Sequence, residues 1–226
     1  FAKIPCESKF VIEHYTDHES KHYIIFHSLY GRRVNDALSR ALAYLVARAG
    51  KRDVEIGISD NGFFLASHDK MQAEQALKLL VEKPEALRQV LEEAIDKTET
   101  FKRRFRHCAT RSLMILRNYK GREKSVGRQQ VKSDFLLGTV KKISNDFPIL
   151  KETRREILED LMDIENAIKI LEGLKDNKIK IETIHVDVPS PFSFNLITQG
   201  YADLLKIENK IEFLKRMHEE VLKRIK

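Results

Sequence analysis

Apolar and polar positions alternate in two runs near the start of the chain, KFVIEHY from Lys9 and KHYIIFHSLY from Lys21, separated by the polar stretch Thr16-Asp17-His18-Glu19-Ser20. A period of two with aromatic and β-branched side chains predicts two strands joined as a hairpin with a longer loop. After Gly31-Arg32-Arg33 the period lengthens. Val34, Leu38, Leu42 and Leu45 share one face, which predicts a helix over 34–49 with Gly50 as its stop. DVEIGIS and GFFLAS flank Asp60-Asn61-Gly62, and Asn-Gly is a strong hairpin signal because both residues tolerate positive φ.

From Lys70 onward the period is helical, and the spacing predicts helices over 71–81, 84–97, 99–119, 128–143, 148–162 and 164–174. Pro84 and Pro148 stand where a helix can start, since the amide hydrogen they lack has no partner there. The run KIKIETIHVDV from Lys178 reads as a late strand that returns to the first sheet, and a charged helix over 207–225 closes the chain. The expected fold class is α+β: a small antiparallel sheet built from hairpins, packed with a larger helical lobe. Residues 1–97 form the α+β lobe in this reading, and residues 98–226 form a mainly helical lobe with basic helices, the late strand and the terminal helix. Neither repeat nor low-complexity linker separates them, so one module is expected. The absence of an initial methionine, with strand-like sequence almost at once, suggests a piece of a longer polypeptide.

Charge changes this picture, because its distribution is uneven. The formal net charge of the 226 residues is +7. Between Phe101 and Lys132 lie eleven basic residues and one acid, Glu123, so this segment carries +10 and the remainder −3. A field that local implies a polyanionic partner. On a helical wheel from Phe101, residues Phe105, Cys108, Ser112, Ile115, Leu116 and Tyr119 share the buried face, while Arg103, Arg104, Arg106, Arg111 and Arg117 point away from it. With Arg122, Lys124, Arg128 and Lys132 beyond, and Arg32 and Arg33 earlier, they are the candidate phosphate contacts, since guanidinium forks match phosphate oxygens and binding releases counterions. Gln129 and Gln130 are candidates for base edges or sugars, or are ordinary exposed amides. The competing reading of the basic face is internal pairing with Glu152, Glu156, Glu159 and Asp160.

Two cysteines, Cys6 and Cys108, exclude a disulfide framework and a CxxC zinc site and point to a reducing compartment, with Cys108 read as a buried thiol. No run of eighteen apolar residues occurs, so a soluble, cytoplasmic protein without membrane contact is expected. Signals for catalysis are thin. Lys124-Ser125 imitates the end of a P-loop, but Glu123 replaces the required glycine. His14, His18 and His22 read as polar hairpin residues rather than a metal site. Glu156, Asp160 and Asp163 lie at helical spacing, and neighbouring Arg154 and Arg155 favour ion pairs over paired acid–base carboxylates. No catalytic residue, metal or cofactor is assigned to the chain itself.

RFRHCATRSLMILRNYKGREKSVGRQQ from Arg104, HSLYGRRVNDALSRALA from His27, SDNGFFL from Ser59, FPILKETRREILEDLMD from Phe147 and PSPF from Pro189 resemble, in collinear order, the DEAD/H-associated domain of the large helicase-related (Lhr) family of superfamily 2 helicases. The resemblance implies a parent enzyme with two RecA-like motor domains and a winged helix, an ATP- and magnesium-dependent 3′-to-5′ helicase acting on DNA or RNA:DNA hybrids, in DNA repair or a related process. It implies for this chain a non-catalytic role in clamping single-stranded or forked DNA, or RNA, through Arg104, Arg106, Arg111 and the loop from Gly121 to Gln130. Gly127-Arg128 offers no ring at the start of the second basic helix and the chain has no tryptophan, so binding is expected to rest on phosphates rather than stacking. Two other classes stay open. One is a docking module whose terminal stripe Ile207, Ile211, Leu214 and Leu222, or whose basic segment, packs on another domain. The other is an enzyme acting on nucleic acid through Glu156 or Asp160.

Overall fold

The structure, a computed structural model, describes residues 3–17, 19–51 and 53–202, together with Lys215, His218, Glu219 and Leu222. The fold class is α+β, as the hydrophobic pattern predicts. The chain divides into two compact units: Phe1–Leu87 with Glu165–Lys226, and Arg88–Ile164. The expected boundary near residue 97 is replaced by this discontinuous arrangement, because the late strand pairs with the first and draws the chain after residue 164 into the sheet unit.

The sheet unit is built on β1 (Lys9–Thr16), β2 (His22–His27), β3 (Glu55–Ser59), β4 (Gly62–Ser67) and β7 (Lys180–Val186), in the order β3-β4-β2-β1-β7. All pairs are antiparallel except β1 with β7. Helix α1 (Arg32–Gly50) lies against β3 and β4. Tyr15, Tyr23, Ile25, Phe64 and Ala66 form a cluster with Leu196 and Ile197 of α8 (Phe194–Ala202). Phe10, Ile12, Phe26 and Phe63 alternate with that set and are fully buried as well. A sheet covered on both faces explains why GFFLAS is an unbroken apolar run. Gly62 fits because a Cβ there would stand 2.4 Å from the Phe26 carbonyl oxygen.

A carboxylate lies inside this core. Glu13 is fully buried, and its carboxylate accepts from His27 Nε2 (2.9 Å), Ser190 N (2.8 Å), Ser190 Oγ (2.6 Å) and Ser193 Oγ (2.8 Å). The PSPF segment is thus anchored to β1. Helix α8 was not expected from the sequence. The terminal helix predicted over 207–225 lies outside the described residues, apart from helical Lys215, His218, Glu219 and Leu222.

The rest of the sheet unit holds α2 (Ala73–Glu82) and α7 (Ile164–Lys175), the latter beginning one residue before the boundary. No helix among the described residues is long and apolar enough to cross a membrane. The helical unit contains α3 (Leu87–Ile95), which starts at its edge after a 3-10 turn at Pro84–Ala86, then α4 (Glu99–Arg111), a hairpin of β5 (Asn118–Tyr119) and β6 (Arg122–Glu123), α5 (Val126–Ile143) and α6 (Pro148–Arg155). A π-helical turn, Glu156–Leu161, extends α6. Thr98 Oγ1 caps α4 by accepting from Phe101 N. Phe101, Phe105, Leu137, Val140, Leu150 and Ile157 are buried here. Asp96 ties three helices together, accepting from Lys141 Nζ (2.8 Å) and Arg154 Nη2 (3.2 Å).

Candidate nucleic-acid interface

The basic segment lies in the helical unit, but not on the long helix that its periodicity suggests. Helix α4 stops at Arg111, and the chain reverses through Leu113, whose φ is +59°. Ile115 N returns to the Ala109 carbonyl, which brings the Ile115 side chain into the core. Ser112 and Leu116, expected on the buried face, are exposed, and Tyr119 belongs to β5. The hairpin turns at Lys120-Gly121, with φ of +50° and +72°. Positive φ at both central residues is the geometry of a tight primed turn, and Gly121 is the sequence signal for it. Lys124 N bonds the Arg117 carbonyl at 2.8 Å and closes the base of the hairpin.

The arginines of α4 separate into two groups. Arg104 and Arg111 face Glu156, a buried carboxylate that opens the π-helical turn. Arg104 Nη1 lies 3.5 Å from Glu156 Oε2, and Arg111 Nη2 pairs with Glu156 Oε1 and also donates to Cys108 Sγ. Internal pairing therefore accounts for these two, and Cys108 is the buried thiol that the sequence suggests. Arg155 takes Asp160 (3.4 Å) and Glu152 (2.8 Å) in the same way. Arg103 and Arg106 instead line a cleft of about 270 Å³ between α4 and α5, opposite Gln130, Ser133 and Asp134.

Arg117, Arg122, Arg128 and Lys132 are exposed along the hairpin and the first turns of α5. Lys124 lies close enough to Lys132 that their charges repel; with partial burial as the larger cause, its ammonium is held below the usual lysine range. His107 responds similarly: burial, then the charges of Arg106, Arg104, Arg111 and Arg103, hold its imidazole below the usual histidine range. Gln129 corrects the sequence reading. It is buried, and its Nε2 donates to the Lys124 carbonyl at 2.8 Å, so it holds the hairpin to α5 instead of facing a ligand. Arg32 and Arg33 belong to the other unit, at the start of α1, and Arg32 Nη1 donates to the Ile58 carbonyl at 3.2 Å.

A family model described as DEAD/H associated matches residues 4–193. The chain belongs to this family. ATP-dependent helicase Lhr-Core of Methanothermobacter thermautotrophicus is 54% identical over all 226 residues, which cover 26% of that relative. Lhr-Core of Sulfolobus acidocaldarius is 46% identical, with 97% of this chain and 25% of the relative covered. Among solved structures, that of Mycobacterium smegmatis helicase Lhr bound to ssDNA and AMP-PNP matches with a TM-score of 0.71 at 26% identity, over 85% of this chain and 24% of that one. The DEAD/H-associated chain thus spans about a quarter of the length of these relatives and corresponds to a domain found in Lhr helicases.

The described histidines of the first hairpin have partners in the sheet and in α2. His14 Nε2 lies 3.1 Å from Glu74 Oε1 and its ring stacks on His185, while His22 Nδ1 bonds Thr16 Oγ1 at 2.9 Å; His18 lies outside the described residues. Among the described residues, no group of three or more His, Cys, Asp or Glu is placed to hold a metal ion.

Proposed function

We propose that this chain is a non-catalytic, strand-clamping domain of an Lhr-like ATP-dependent 3′-to-5′ helicase. The carrying observation is the cleft between α4 and α5, where Lys102, Arg103 and Arg106 outnumber the two acids of the lining, Glu99 and Asp134, and Glu99 is taken by Lys102 at 2.6 Å, with Gln130 beside them. Two guanidinium groups at a cleft edge suit consecutive phosphates of one strand, with Arg117, Arg122, Arg128 and Lys132 extending the track. The ssDNA in the matched M. smegmatis structure supports a single strand as ligand. ATP and magnesium belong, in this reading, to motor domains of the longer protein, which with a winged helix are this domain's partners in the same chain. The proposal places that protein in the cytoplasm and in DNA repair.

The test is a fluorescence-anisotropy titration of the 226-residue chain with matched single-stranded, forked and duplex DNA and with RNA, over a series of salt concentrations. Preferential binding of single strands or forks with a steep salt slope is expected, and Arg103→Glu with Arg106→Glu should remove most of it. No binding at low salt overturns the clamp and makes the basic face a docking surface for another domain.

A further inference from the structure

Helix α5 turns Gln129, Ser133, Leu137 and Val140 inward. On the opposite side stands Phe135, 78% exposed, with Val131, 71% exposed, one turn before it. No other large apolar side chain among the described residues is more exposed than this phenyl ring. Its surroundings are cationic: Arg128 and Lys132 lie at i−7 and i−3, Lys142 at i+7, all exposed. Asp134, the one acid in the α5 sequence, is turned to the cleft side with Arg103 and Arg106.

We infer that Phe135 is a stacking platform for one base of a single-stranded nucleic acid, whose phosphates are taken by Arg128 and Lys132 beside it. The inference rests on the clamp reading and adds a contact that the basic segment alone does not supply. A ligand that is flat and apolar on its faces and anionic along its backbone matches a lone ring among cations. A duplex hides its base faces. A protein partner would need a far wider apolar surface than Val131 and Phe135 provide, since stable interfaces bury roughly 800 Å² on each side.

The chain contains no tryptophan, so Phe135→Trp places a single reporter at this position. Titration of that variant with oligo-dT, excited where only tryptophan absorbs, should quench its emission in step with the anisotropy rise. A matched duplex should leave the emission nearly unchanged. Phe135→Ala and Phe135→Leu should each weaken single-strand binding about tenfold, the effect of losing one stacked base. Their salt slope should stay that of the parent chain, because no phosphate contact is lost. Since the side chain is exposed, both variants should keep the parent's circular dichroism spectrum and unfolding midpoint. Binding without quenching, or unchanged affinity in both variants, overturns the stacking role and leaves the clamp standing. Failure of the unaltered chain to bind any strand overturns the clamp itself, and with it this role.

Discussion

At the scale of single residues, the most consequential side chain outside the interface is Glu13. Burial alone pushes its carboxyl up, but hydrogen bonds from His27, Ser190 and Ser193 outweigh that and hold it below the ordinary glutamate range. A folded value below the unfolded one, about 4.3, contributes stability that is fully present above the unfolded value. That contribution is lost as pH falls through the lowered folded value. The urea midpoint should therefore drop as pH falls below about 4.3, and in Glu13→Ala this drop should shrink. The same variant strands His27 and two serine hydroxyls in the core and should cost roughly 3–5 kcal/mol by urea unfolding at pH 7. His107 is a reporter of a different kind. Arginine charges contribute to its lowered value, so an oligonucleotide that neutralises them should move its NMR titration midpoint upward. An unchanged midpoint in the bound state would show that the strand does not approach α4.

At the scale of elements, α4 does two jobs with one run of arginines. Arg104 and Arg111 hold the π-helical turn through Glu156, while Arg103 and Arg106 open toward α5. Glu156→Ala should lower the stability of the helical unit by roughly 1–2 kcal/mol. The figure is below the roughly 3–5 kcal/mol of a fully buried pair, because Arg111 is 59% exposed and regains water. The freed guanidinium groups should tighten single-strand binding. Arg103→Glu with Arg106→Glu should do the reverse: lose binding, with stability unchanged within roughly 0.5 kcal/mol. Chemical denaturation and anisotropy on the same samples separate the two roles.

At the scale of the whole molecule, a net charge of +7 is the sum of a segment at +10 and a remainder at −3. Association should therefore be steered by one face of the helical unit, and affinity should fall steeply with salt. For a single strand, log affinity against log salt should become shallower by about 0.7 for each phosphate contact removed by mutation. Substitutions at Arg32 and Arg33, in the other unit, test whether the sheet unit shares the strand: an unchanged slope in a double alanine variant would assign the strand to the helical unit alone.

The sequence by itself determined the α+β class, both hairpins of the sheet, the positions of most helices and the basic segment. Each of these rests on short-range physics: side-chain period, turn chemistry and local charge. Tertiary structure decided the rest. A 3.6-residue period continues on paper past Arg111, but the chain ends α4 there, where burying Ile115 and closing the Lys120-Gly121 hairpin compete with another turn of helix. The return of the late strand to the first sheet was legible, but its parallel partner was not: β7 pairs with β1, Lys9 opposite Lys180, and that long-range choice, which no local pattern encodes, decides the division into units. Which arginines bind outward and which inward depends on Glu156, some fifty residues away, and a count of charges cannot separate them. Gln129 departs from its expectation, and Phe135 comes to stand in solvent, for the same reason: exposure is set by the side of α5 that meets its neighbours, and a helix this evenly mixed in polarity does not announce that side.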